Sequence, residues 1–358
     1  MSELLPPDKI CNSLKDWIAA PSGADFPEPL FKEIYPDSSF SRRIKRPPAR
    51  YPNTLEGGYV GVIPNGRVWG LNGAIITPDQ KLIWDVSYEM VKPRSNHSIF
   101  KEKKLPAVSH VFKNAADLTH IVGRNYYHWM YEVIPRIHLM HKSGIKADYF
   151  IVKSEPDHLQ FQTETLHKLG ITAEQLIKTH TGFHIQAENL VVPSQPKFAT
   201  EWGWRFLRKT FLPKNKLRLS TKKRIYISRK WSRRITNENE VMDVLTQYGF
   251  SKVELENLTV QEQAQLFSTA EVIVGAHGAG LANLTFCQPG TKVLEIFAPS
   301  YITSLYWVIS SLGDLKHYYF IGKVSKRDPA LPDHKWSGLD DITINIREFA
   351  VFVQKMVR

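Results

Sequence analysis

The residues most able to do chemistry lie in the stretch IVGAHGAGLANLTF, 273–286. An apolar run that reads as a buried strand ends there, His277-Gly278-Ala279-Gly280 follows, and a short helix is expected from about Gly280. Glycine lets a ligand approach the main chain closely. The free N–H groups and positive dipole end of the next helix then suit a phosphate. His277 would add a hydrogen bond or a positive charge to a pyrophosphate, and Asn283, one turn on, would face the same ligand. The structural alternative is a tight strand-to-helix connection whose histidine caps local backbone. Two common phosphate sites are excluded. Asn283 stands where a dinucleotide fingerprint needs its third glycine, and the Gly-Lys-Ser/Thr of a Walker loop is missing.

Three further groups accompany that turn. In TKVLEIFAP, Glu295 sits within an otherwise apolar strand, where a carboxylate is costly to bury unless partnered. A ribose diol is one suitable partner and a strand-end ion pair is the alternative. In RIYISRKWSRRITNENEV, a strand ends on Ser228-Arg229, and Arg233 and Arg234 precede a helix. Arginine at a strand end offers a planar fork that matches phosphate oxygens. Asn237 with Glu240 reads as an N-cap and its acid, Thr259 with Glu262 reads as a capping box, and residues 255–258 form a loop where a nucleotide base would rest. In NYYHWMYEVIPRI, His128 and Glu132 are four apart and share a helix face. They would supply a general base for an acceptor hydroxyl, or form a surface pair beside aromatic core neighbours. The spacing is not HExxH, and no Asp-x-Asp is present to clamp a metal phosphate.

The elements that must position these residues change character along the chain. Residues 1–50 hold a short amphipathic helix, with Ile10, Leu14, Trp17 and Ile18 on one face, and Pro- and Arg-rich coil. GGYVGVIP, GRVWGLNGAIITP and KLIWDVSYEMV read as hairpins or a small meander. From about residue 118 strands and helices alternate: LTHIVG, ADYFIV and ENLVVP as strands, with helices between them and EWGWRFLRKTFL after. The second half alternates more regularly through KRIYISR, SKVELE, EVIVGA, TKVLEIFAP and KHYYFI, and ends in a helix over 343–357. Such alternation demands parallel crossovers, so each half is expected to be an α/β, doubly wound sheet. The expected domains are 1–210, 211–335 and a C-terminal helix region 336–358 that packs back on the first.

Composition sets the limits. At 358 residues, with 42% hydrophobic and 23% charged, the chain suits two globular domains rather than a disordered one. Cys11 and Cys287 are its two cysteines, neither a disulfide framework nor a metal cluster. MSELLPP has no basic region followed by an apolar run, and no uninterrupted apolar stretch is long enough to cross a bilayer. The net charge of +12 is concentrated: Arg208 to Arg234 holds twelve Lys and Arg and no acid. Nucleic acid, an anionic membrane face or a phosphorylated small molecule would each use such a segment, and so would a solvated linker.

NYYHWMYEVIPRI, IYISRKWSRRITNENEV and FSKVELENLTVQEQAQLFSTAEVIVGAHGAGLANLTFCQPGTKVLEIF together resemble glycosyltransferase family 61. That family includes plant β-1,2-xylosyltransferases and animal O-linked N-acetylglucosaminyltransferases. The resemblance covers roughly residues 118–322 and is strongest over 224–297. It implies a GT-B architecture, two Rossmann-like domains facing a cleft, and inverting transfer from a nucleotide sugar, usually a UDP-sugar, with no metal or other cofactor. By the resemblance, Ser228, Arg229, Arg234, Asn237, Glu238, His277, Gly278, Ala279, Gly280 and Glu295 fall on the donor half, and His128 and Glu132 on the acceptor half. The expected acceptor is a glycan or a lipid-linked hydroxyl. The chain shows neither the membrane anchor nor the luminal cysteines of many eukaryotic members. It is therefore expected to be a bacterial-type, cytoplasmic member acting in surface or capsular polysaccharide synthesis, with peripheral contact at the anionic inner membrane face. A non-catalytic nucleic-acid or anionic-membrane binder built on 208–234 is the alternative class. Against nucleic acid, the basic residues of 208–224 precede an expected α/β cleft domain. A nucleotide-sugar hydrolase or epimerase would share the donor site.

Overall fold

A computed structural model describes residues 4–20, 28–40, 47–49, 53–153, 159–212, 223–326 and 338–358. It divides into two compact units, Met1–Ser38 with Leu55–Thr200, and Ser39–Thr54 with Glu201–Arg358.

The first unit is built on one mixed sheet. Its strands are β1 (Lys9–Cys11), β2 (Leu30–Tyr35), β3 (Gly58–Trp69), β4 (Ala74–Ile76), β5 (Lys81–Ile83), β6 (Val111–Asp117), β7 (Tyr149–Lys153), β8 (Leu176–Thr179) and β9 (His184–Pro193). The order is β1-β5-β4-β3-β9-β6-β7-β8, with β2 also paired to β3. The run β9-β6-β7-β8 is parallel, as the alternation demanded. The expectation of a purely doubly wound sheet needs correction, because β3 pairs antiparallel with β9 and carries the hairpin strands onto the same sheet. A second correction concerns LTHIVG. The strand is the less apolar VFKNAAD, and residues 118–123 form the loop beyond its carboxyl end.

The helix expected over YYHWMYEVIPRIHLMHKSG forms in three pieces: Tyr126–His128, a π-helical turn Trp129–Val133, and Ile134–Ser143. Pro135 has no N–H to give the carbonyl four residues back, and the ladder widens by a residue just before it. Gly144 ends the helix at φ 72°. Arg136, fully buried, anchors the helix to the sheet: it donates to the Thr119 carbonyl at 2.8 Å and to the Asp117 carboxylate at 2.9 Å.

The second unit holds a five-stranded, all-parallel sheet of β10 (Lys223–Ile227), β11 (Phe250–Val253), β12 (Ala270–Ala276), β13 (Lys292–Phe297) and β14 (Lys316–Ile321). The order β11-β10-β12-β13-β14 is that of a doubly wound sheet, reversing direction between β10 and β12. Val272, Ile273 and Val274 on β12, and Val293, Leu294 and Ile296 on β13, are buried, as a sheet covered on both faces requires.

The units depart from the expected 1–210, 211–335 and 336–358 in three places, the first being Ser39–Thr54, which groups with the second unit. The helix Glu201–Phe211 belongs with the second unit: Arg208 donates to the Thr285 and Cys287 carbonyls, and Phe211 meets Phe286 edge-on. The C-terminal helix, Ile346–Val357, buries Phe349, Val353 and Met356 against Tyr226, Leu245 and Val274 of the second unit, not against the first. Four basic residues of the expected surface segment, Lys214, Lys216, Arg218 and Lys222, lie outside the described residues. Among the described residues no helix is long and apolar enough to cross a membrane.

Candidate functional site

In a doubly wound sheet, ligands bind beyond the carboxyl ends of the two strands that flank the reversal. Here those strands are β10 and β12, paired through Ile227 and Gly275, and their extensions are Ser228-Arg229 and His277-Gly278. The Arg229 guanidinium lies against Gly278 so closely that a Cβ there would stand 1.4 Å from Nη1. Glycine is needed for space and not for its dihedral angles, since φ is an extended 174°. Arg229 is fixed by donating Nε–H to the Ser232 carbonyl at 2.7 Å. Arg233 adopts φ 52°, donates to the Gly338 carbonyl at 2.8 Å and lies over the Tyr301 ring.

Burial lowers the Arg229 pKa to about 10, with the charge of Arg233 adding to the effect, and burial lowers Arg233 as well. Neither makes an ion pair with a carboxylate among the described residues. Beside them, a 3-10 helix, Ala279–Phe286, starts at the turn. Leu281 donates to the Gly278 carbonyl, while the N–H groups of Gly278, Ala279 and Gly280 have no backbone partner among the described residues. Two half-buried cations with no carboxylate in direct contact, next to N–H groups without a backbone partner, are relieved by a multiply charged anion.

The remaining donor-side expectations fare unevenly. Arg234 is turned away: its backbone N–H donates to Asp341 Oδ1 at 2.9 Å, and its Nε and Nη2 donate to Asp341 Oδ2 at 3.1 and 2.6 Å. The neighbouring cation is Arg233, which sequence reasoning noticed and did not select. Asn237 does precede the helix Glu238–Thr246, but its side chain makes no cap bond and instead exchanges hydrogen bonds with the Ile344 backbone. Glu238 accepts from Tyr226 and Ser228 and pairs with Lys252, so Ser228 and Glu238 brace each other. Asn283 is fully buried and donates to Gln263 and to the Gly280 carbonyl, not toward a ligand. The capping box at Thr259 and Glu262 is present as expected.

His277 and Glu295 find each other. Neighbouring register sets Gly275 beside Glu295 and brings His277 Nδ1 to 2.5 Å from Glu295 Oε1. His317 Nε2 stands 3.1 Å from the other oxygen, in a contact whose angle falls short of a hydrogen bond. Its Nδ1 lies 2.8 Å from Ser310 Oγ. Glu295 is fully buried, so its partner is imidazole and not the ribose expected from sequence. Burial opposes its ionisation, but the two histidines outweigh that and hold the carboxyl below its usual range. Burial likewise pushes His277 below its usual value, against the pull of Glu295. The His277 ring stacks on Phe297, 5.3 Å between centroids. It is part of the core under the turn.

The first unit carries a second carboxylate between two imidazoles. Glu132 Oε2 lies 2.7 Å from His128 Nδ1 and 2.9 Å from His120 Nε2. His120 was missed from sequence because LTHIVG reads as a strand; it stands on the loop after β6, its Nδ1 accepting from the Val122 N–H at 3.3 Å. That bond leaves Nε2 as the protonated nitrogen facing Glu132. Burial again opposes ionisation of Glu132, and the bonds from His120 and His128 prevail, lowering its pKa. The His128 side chain is 30% exposed, and its Nε2 has no partner among the described residues. A neutral imidazole held by Nδ1–H presents an Nε2 lone pair, the arrangement of a general base with its orienting acid. The three donor atoms also lie within 4.8 Å of one another, a set able to hold a metal ion, though the carboxylate satisfies both rings without one.

Part of the chain resembles known proteins in sequence. Residues 126–294 match the family described as Glycosyltransferase 61. The chain is 33% identical over 93 residues to "Beta-1,2-xylosyltransferase RCN11" of Oryza sativa subsp. japonica, covering 24% of this chain and 17% of that protein. It is 28% identical over 109 residues to "Beta-1,2-xylosyltransferase" of Arabidopsis thaliana, covering 27% of this chain and 20% of that protein. The chain thus spans no more than a fifth of the length of these relatives. The matches support the glycosyltransferase 61 family for the stretch that contains His128, Glu132, Arg229, Arg233 and the glycine turn.

Proposed function

We propose that this protein is an inverting glycosyltransferase of the GT-B type. It would move a sugar from a nucleotide-sugar donor, a UDP-sugar, to a hydroxyl of a glycan or lipid-linked acceptor in surface polysaccharide synthesis. The observation that carries the reading is the pair Arg229 and Arg233, half-buried and in no ion pair with a carboxylate among the described residues, beside the N–H groups of 278–280 that lack a backbone partner. A diphosphate supplies the missing negative charge. As the bond to the anomeric carbon breaks, charge grows on that diphosphate, and fixed guanidinium and N–H groups stabilise it, a task that metals perform elsewhere.

In this reading His128 Nε2 takes the proton of the attacking hydroxyl, and buried, ionised Glu132 orients the ring and offsets the imidazolium charge. Attack on the face opposite the leaving nucleotide inverts the anomeric centre. Work at the cytoplasmic face, with the basic segment against anionic lipid, completes the proposal; liposome flotation with and without acidic lipid tests that part.

Thermal-shift titration with UDP, other nucleoside diphosphates and UDP-sugars tests the donor site. UDP is expected to raise Tm, and the double variant Arg229→Ala, Arg233→Ala to abolish the shift while remaining folded. An unchanged shift in that variant overturns the donor assignment. Transfer that EDTA abolishes and a divalent ion restores overturns its metal independence.

A further inference from the structure

The first unit contains a cavity of about 340 Å³ that takes no part in the donor site. That volume lies within the range of small-ligand pockets, about 300–1,000 Å³. Phe31 and Tyr59 line it, their rings 5.0 Å apart and tilted, together with Tyr35, Glu56, Asp85 and Gln195. We propose that this cavity binds a neutral, hydroxyl-rich sugar, the terminal residue of the acceptor glycan. The proposal rests on the glycosyltransferase reading.

The lining selects that chemistry. Glu56 accepts the Lys197 N–H at 2.7 Å, and Asp85 accepts the Leu14 N–H at 3.1 Å and the Tyr59 hydroxyl at 2.6 Å. A carboxylate can accept about four hydrogen bonds in all, so Asp85 retains acceptor capacity that a sugar hydroxyl can use. Glu33 and Asp37 line the cavity too, and against the four carboxylates stand Lys15, paired with Glu33 at 3.9 Å, and Lys197. The lining is therefore rich in acceptors for sugar hydroxyls, and a simple cation is the competitor to separate. Burial pushes both Glu56 and Asp85 up, so their full charge is disfavoured there, again suiting a neutral donor of hydrogen bonds. The aromatic pair supplies an apolar platform for the C–H face of a pyranose ring.

Two observations tie the cavity to the base. Gln195 donates its amide to the Thr119 carbonyl at 3.1 Å, the residue before His120. The Glu132 charge is one of the causes that raise Glu56, so the two carboxylates lie within electrostatic reach. Most of the lining precedes residue 126 and so lies outside the family match, which makes acceptor choice a property of this chain's own N-terminal sequence.

The test titrates the full chain, saturated with UDP, with xylose, mannose, galactose, glucose and N-acetylglucosamine and their disaccharides, read by saturation-transfer NMR and calorimetry. At least one neutral sugar is expected to bind. Phe31→Ala and Glu56→Gln should each weaken it about tenfold or more, the cost of a lost ring contact or buried hydrogen bond, with the UDP-induced Tm shift retained. Retention of that shift shows that each variant is folded. A wild type that binds UDP and no neutral sugar overturns the cavity assignment and leaves the donor reading standing. Sugar binding unaffected by both substitutions overturns it too, as does preferential binding of glucosamine or a simple amine. Loss of UDP binding in the wild type is the separate failure of the glycosyltransferase reading.

Discussion

The two units each bury a glutamate between two histidines, and the two groups differ in what they can do. Around Glu132 the outer ring, His128, is 30% exposed and ends the short helix Tyr126–His128, just before the π-helical turn. Around Glu295 the corresponding ring, His277, is 4% exposed and packed among Phe297, Tyr301 and Tyr306. In both, the carboxyl stays ionised despite burial because imidazole N–H groups hold it. The residue types alone therefore do not separate a base from a brace. Access to the free nitrogen does: the first group can exchange a proton with a substrate, and the second can only hold the strand ends that present Gly278 and Arg229.

The comparison breaks most visibly through activity. His128→Ala should lower transfer by about 10²–10⁴-fold, the usual contribution of a positioned base, while the UDP-induced Tm shift is unchanged. Near-normal transfer in this variant removes His128 from the mechanism. His277→Ala should act through stability instead. It leaves fully buried Glu295 short of its closest partner, and losing one member of a buried pair costs about 3–5 kcal/mol. Chemical denaturation of the two variants side by side reads this. A His277→Ala protein as stable as wild type would show that its bond to Glu295 contributes nothing to the fold.

A smaller effect sharpens the claim that the buried group serves the turn. Gly278→Ala places a methyl 1.4 Å from Arg229 Nη1, so the guanidinium must leave. Donor affinity should fall about tenfold or more, the loss of a hydrogen bond to a charged group. At Gly280 the added methyl meets the flexible Leu255 Cδ1 at 2.7 Å, and Gly280→Ala should cost less. Calorimetry with UDP checks the order, and equal affinities for the two variants would contradict it.

How far the sequence displays this depends on the range of the interactions. The parallel sheet over 223–321 is legible because apolar, β-branched runs alternate with helices closed by residues such as Gly249, at φ 75°. The turn at 277–280 and the strand end at Arg229 are legible for the same reason, since the reversal point of such a sheet fixes where they meet. The cost of burying Glu295 is also visible, but the identity of its partner is not. Imidazole and ribose both suit a carboxylate, and only the pairing of β12 with β13, across about twenty residues, decides between them. Arg233 and Arg234 cannot be told apart in sequence. One left-handed residue at φ 52° sends the first inward, and Asp341, over a hundred positions away, captures the second. His120 was hidden because Leu118 to Gly123 is more apolar than the true strand before it.

The smallest expected effect concerns pH. His277 has its pKa depressed from 6.5 chiefly by burial, so its neutral form belongs to the folded state. A depressed group contributes stability that is full above its unfolded value and is lost as pH falls through the folded one. The window therefore opens below about 6.5. Glu132 and Glu295 are depressed too, but from 4.5, so their contributions fade only at lower pH. Burial instead raises Glu56, Asp85 and Asp117 toward the window and adds their titration to the whole-protein slope. His97 and His184 of the first unit are also depressed by burial and titrate in that window, so the whole-protein slope mixes both units. The informative quantity is the difference between wild type and His277→Gln, which lacks one of the three. Melting curves from pH 7.5 to 5 should show the wild type losing more stability than the variant. Parallel curves would mean that His277 accepts a proton in place, beside Glu295, and the buried group would then be an ion pair at acid pH rather than a neutral brace.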